Sequence, residues 1–76
     1  MTNSEKLNRV ISDSGMTITS IASKLGITRE GLYKKLNNDT EFKASEISKM
    51  QAILHLSNEK RDEIFFAKEV ELNSTQ

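Results

Sequence analysis

Between Thr28 and Asn38 the chain carries Arg29, Glu30, Tyr33, Lys34 and Lys35, side chains able to hydrogen-bond flat polar edges and phosphate oxygens. A guanidinium at Arg29 can donate two bonds to guanine O6 and N7, a pairing worth roughly 1–3 kcal/mol of base discrimination. Its alternative is a surface pair with Glu30 or a neighbour. Glu30 can accept from cytosine N4, orient Arg29, or simply favour the helix dipole as a first-turn acid. The Tyr33 ring can pack on a thymine methyl, or its hydroxyl can reach a phosphate. Equally, Tyr33 can close its helix against the loop that follows. Lys34 is expected to project to bases or backbone, and Lys35 to the backbone. Thr17, Thr28 and Asn38 are candidates for phosphate contacts through hydroxyl, amide or helix N-terminal N–H groups, although capping alone explains both threonines.

These side chains need a short helix held outward, and the flanking sequence predicts one. Ile21 and Ala22 are followed by Leu25, Gly26, Ile27, Thr28, Leu32 and Leu36. That order describes two helices meeting at a tight turn, a helix-turn-helix, whose second helix lies in a DNA groove. The first of the two is expected over 17–25, with Thr17 as N-cap and Ile18, Ile21, Ala22 and Leu25 buried. Gly26 ends it, since glycine adopts positive φ without steric cost. Ile27 plugs the angle, and Thr28 caps the second helix over 28–37, with Leu32 and Leu36 buried.

The rest of the chain reads as support. A helix over 4–14 is predicted from Leu7, Val10, Ile11 and Ser14, with Asn3 or Ser4 as cap, Glu5 at the positive end of the dipole and Gly15 as left-handed C-cap. Asn37 to Thr40 form a polar loop, and Phe42 is expected as a core plug. A fourth helix spans 44–55 with Ile47, Met50, Ile53 and Leu54 inward; Lys43 cannot accept a hydrogen bond as its cap. Ser57 caps a fifth helix over 58–64. Residues 64–72 stay open between strand parity (Phe66, Lys68, Val70, Leu72) and helical spacing (Ile64, Ala67, Lys68, Glu71). The expectation is therefore an all-α bundle of about five short helices over 1–66, with a tail over 67–76 that is extended or disordered.

Composition bounds the function. With 76 residues, no cysteine, no proline and three glycines, the chain has room for one small helical domain and no disulfide or thiolate site. The lack of cysteine fits a reducing cytoplasm, and no signal peptide or bilayer-spanning run of about 20 apolar residues is visible. Net charge is zero, but residues 1–38 hold six basic and three acidic side chains, while 39–76 hold five and eight. The positive half carries the helix-turn-helix, as expected where one face meets phosphate. His55, the single histidine, reads as structural or exposed. Phe65 and Phe66 cannot both face one core, so one is available for a partner, and the pair is the candidate dimer interface.

The stretch from Ile18 to Asn38 resembles the helix-turn-helix of the Cro and repressor family of phage and bacterial regulators. Ala22, Gly26, Ile27 and Thr28 with Leu32 carry the most specific part. With Phe42, Glu46, Ile47 and the Ile64-Phe65-Phe66 run, the wider span resembles small phage-encoded regulators of Gram-positive bacteria. The resemblance covers roughly residues 4 to 66 and implies a lambda-repressor-like, all-helical domain that binds operator DNA, usually as a dimer. Two positions depart from the family: Ile18 stands where many members carry glutamine, and Lys35 stands where many bury an apolar residue, with Leu36 packing one step later.

The leading expectation is a sequence-specific DNA-binding regulator, with double-stranded DNA and a second copy as partners and no cofactor or metal. The alternative, favoured by the acidic C-terminal half and the phenylalanine pair, is a protein-interaction module that binds another regulator, as an antirepressor or antitoxin does. An enzyme is the weakest reading, because no phosphate-cradling glycine loop or histidine–carboxylate cluster is present, and Glu59, Asp62 and Glu63 alternate with Lys60 and Arg61 as a solvated face.

Overall fold

Five helices follow one another in the computed structural model, which describes residues 1–67: α1 (Ser4–Ser14), α2 (Ile18–Leu25), α3 (Arg29–Leu36), α4 (Ala44–Leu54) and α5 (Asn58–Phe65). The described residues contain no strand. Of residues 64–72, expected as strand or helix, Ile64 and Phe65 are helical; from Lys68 onward this segment and the expected tail lie outside the described residues.

Local chemistry fixes where the helices begin. Asn3, Thr17, Thr28 and Ser57 hold extended backbone at the N-caps, and each side-chain oxygen accepts a first-turn N–H, from Lys6, Ser20, Gly31 and Lys60 respectively. Such caps satisfy donors that a helix start otherwise leaves unpaired, at about 1 kcal/mol each. α4 starts differently. Lys43 stands at its N-cap position, and the Glu46 carboxylate reaches back to accept the Lys43 N–H at 2.8 Å. This is the acidic half of a capping box. It pairs the Lys43 N–H, while the Lys43 side chain accepts no first-turn N–H.

Gly15 and Gly26 end α1 and α2 in the left-handed conformation, at φ 77° and 78°. His55 ends α4 in the same way, at φ 56°, one residue beyond the helix rather than inside it.

Each helix sends one side chain to a common centre. Leu7, Ile21, Leu32, Met50 and Ile64 come from α1 to α5 in turn, and all are fully buried. Around them pack Ile11, Ala22, Leu25, Leu36, Phe42, Ile47, Leu54 and Phe65, with Val10, Ile18, Ile27 and Ile53 half-covered at the edge. Ser14, at the end of the α1 stripe, is exposed and bonds the Ile11 carbonyl instead. No helix of the described residues is long and apolar enough to cross a membrane.

Candidate functional site

α3 is presented by a three-residue turn. After Leu25, the Gly26 N–H closes onto the Ser23 carbonyl at 3.1 Å and the Ile27 N–H onto the Ala22 carbonyl at 3.0 Å. Thr28 then opens α3, its Oγ1 accepting the Gly31 N–H at 3.0 Å. A Cβ on Gly31 would lie 3.1 Å from that oxygen, so a hydrogen at this position keeps the cap uncrowded.

Leu32 and Leu36 bind α3 to the core along one edge. On the other side Arg29, Glu30, Tyr33 and Lys34 are exposed, Tyr33 at 46%. The structure brings these four onto one outward face. Among the described residues, Arg29, Glu30 and Lys34 take part in no ion pair. Arg29 and Glu30 are therefore not spent on each other. Thr17 and Thr28 are exposed caps. A hydroxyl that accepts one bond keeps its own hydrogen for donation.

Two residues expected at that face are turned elsewhere. Lys35 Nζ lies 3.1 Å from Glu46 Oε1 and donates to the Glu41 carbonyl at 3.0 Å, with its side chain only 12% exposed. The ammonium also sits 6.0 Å from the centre of the Phe42 ring. The physical reason is helical spacing: Lys35, three residues after Leu32, falls on the flank of the buried edge, where its stem packs and its charge must find a partner. Glu46 is that partner. Burial works to raise the Glu46 carboxyl, but the Lys43 N–H, the hydrogen bond and charge of Lys35, and the charge of Lys43 outweigh it, leaving the group below its ordinary value.

Asn38 is the second. It holds a left-handed backbone at φ 64°, and its side-chain amide is occupied by the N-terminal segment rather than free for phosphate. The side chain also donates to Ser4 Oγ at 3.1 Å, and Ser4 Oγ in turn donates to the Leu36 carbonyl. The start of α1 is thus tied to the end of α3, and the Asn3 N–H, bonded to the Ile64 carbonyl at 2.7 Å, ties it to α5 as well.

The phenylalanine pair divides. Phe65 is buried and packs edge-on against Phe42, ring centres 5.1 Å apart at 82°. It is a core residue with little surface left to offer a partner. Phe66 is 54% exposed and borders a groove of about 380 Å³ between α4 and α5, lined also by Phe42, Ile47, Gln51 and Arg61. Among the described residues no three potential metal ligands cluster.

No family model, no curated protein and no solved structure matches this chain.

Proposed function

We propose that the chain is a sequence-specific DNA-binding regulator that places α3 in the major groove through a helix-turn-helix formed by α2, the Gly26 turn and α3. The observation that supports this most is the outward face of α3. An arginine, a glutamate, a tyrosine and a lysine stand together there, exposed, while Leu32 and Leu36 anchor the helix from behind. Arg29, one residue past the cap, is the base reader, with Glu30 and Tyr33 beside it. Lys34 and the hydroxyls of Thr17 and Thr28 meet the backbone and set register.

With Lys35 and Asn38 engaged internally, the phosphate contacts are few, and binding is of moderate strength. Two copies reading half-sites about 34 Å apart raise affinity and specificity, and Phe66 is the side chain offered for contact between them. The role that follows is transcription control of the phage-switch kind.

The exposed Phe66 beside its groove also favours the second reading, a module that binds another regulator. Duplex binding at two salt concentrations separates them. A DNA regulator loses affinity steeply between about 50 and 200 mM salt. A chain that binds no duplex even at the lower concentration is the interaction module.

A further inference from the structure

We propose that Glu46 is a positioning residue for α3, tying Lys35 to the start of α4 and thereby withholding the Lys35 charge from the duplex. The proposal rests on the DNA-reading assignment above.

One carboxylate oxygen does two things. Glu46 Oε1 accepts the Lys43 N–H at 2.8 Å, which fixes it to the first turn of α4, and it stands 3.1 Å from Lys35 Nζ on α3. The Glu46 side chain is 9% exposed, so the pair is shielded from solvent. The contacts of the ammonium, with the Glu41 carbonyl, the Phe42 ring and Glu46, all come from the stretch 41–46. Lys35 is thus engaged by the loop and helix that follow α3.

α3 gains from such a device even with the Ser4 bond on its last carbonyl. It has eight residues and two buried side chains, Leu32 and Leu36, one turn apart. Apolar burial is non-directional and leaves the rotation of so short a rod loosely set. A buried ion pair has a defined geometry, and losing one partner leaves the other uncompensated. Rotation matters because Tyr33 and Lys34 immediately precede Lys35, so any roll of the helix carries them with it. Freed, Lys35 would extend into solvent and add a cation beside the face that meets phosphate.

The experiment has two parts, both on the full chain. Duplex binding is measured against salt for wild type, Lys35→Met, Glu46→Gln and the double variant. Amide exchange across Tyr33–Leu36, relative to α1, is measured on the same proteins without DNA. Wild type and Lys35→Met should share one salt slope, since Lys35 touches no phosphate. Glu46→Gln should steepen the log–log slope by about 0.9, the contribution of one added phosphate contact, and the double variant should return it to the wild-type value. Exchange in α3 should quicken about tenfold in both single variants. A slope that falls in Lys35→Met, or unchanged α3 exchange in either single variant, overturns the proposal. If Glu46→Gln does not fold, Lys35→Met alone decides by the same two readouts. A wild-type chain that binds no duplex ends the DNA reading instead, and α3 exchange still judges the tether: faster upholds it, unchanged defeats it.

Discussion

The Asn38 side chain brackets the backbone of Thr2: the Thr2 N–H donates to Asn38 Oδ1 at 3.0 Å, and Asn38 Nδ2 donates to the Thr2 carbonyl at 2.9 Å. These two bonds join positions 36 apart in sequence and close the N-terminal segment over the end of α3. Removing the Asn38 amide leaves the Thr2 N–H and carbonyl without these partners. Asn38→Gly keeps the left-handed backbone without strain, so it isolates the side chain's share. Loss of about 1–3 kcal/mol in denaturant unfolding is expected. A change under about 0.5 kcal/mol would show that water replaces the bracket at no cost.

Glu46 gives the fold an acid-sensitive joint. Its folded-state pKa lies below its ordinary value because the Lys43 N–H and the Lys35 and Lys43 charges outweigh its burial. The stability it contributes is therefore fully present above its ordinary, unfolded-state value. It is lost as pH falls through the folded value. Unfolding of wild type and Glu46→Gln in urea should differ by about 3 kcal/mol near neutral pH, and the gap should narrow at pH 3. A gap that stays constant across that interval would mean that the carboxylate charge contributes nothing.

Gly26 is under a backbone constraint and no steric one. Its φ is 78°, and a Cβ built there would meet nothing within 4 Å. Gly26→Ala should thus cost only the left-handed penalty, about 1–2 kcal/mol, with Gly26→Val costing more because a β-branched side chain resists positive φ. Equal melting temperatures for wild type and Gly26→Ala would contradict that conformation.

Phe65 and Phe66 should part company in solution as they do in the fold. Phe65→Ala empties the contact with Phe42 and should cost about 3–5 kcal/mol. Phe66→Ser should change stability by less than about 0.5 kcal/mol yet weaken self-association in sedimentation. Identical sedimentation of wild type and Phe66→Ser at every concentration would remove Phe66 from any contact between copies.

The parts of the fold legible in the sequence are those with local causes. Thr17, Gly26 and Thr28 act on their own neighbours, so the turn between α2 and α3 could be placed almost to the residue. The Leu32–Leu36 spacing gave the buried edge of α3 in the same way. What escaped depends on partners brought in by folding. Lys35 reads as one more surface lysine until its spacing from Leu32 is weighed above its charge. At the start of α4 Lys43 cannot cap, and the readable signal is the glutamate three residues later. Asn38 has no local sign at all, because its partner is Thr2. Adjacency shows that Phe65 and Phe66 face different ways, but it is packing on Phe42, distant in sequence, that marks Phe65 as the inward one.

The exposed face of α3 as a DNA reader is tested most directly by selecting bound sequences from a random duplex pool with wild type and with Arg29→Ala. Wild type should enrich a defined motif containing guanine, repeated about 34 Å apart if two copies bind. Arg29→Ala, whose fold should be intact because the side chain is exposed, should lose preference at that guanine, a discrimination worth roughly 1–3 kcal/mol. Enrichment of the same motif by both proteins, or of none by wild type, would contradict the account.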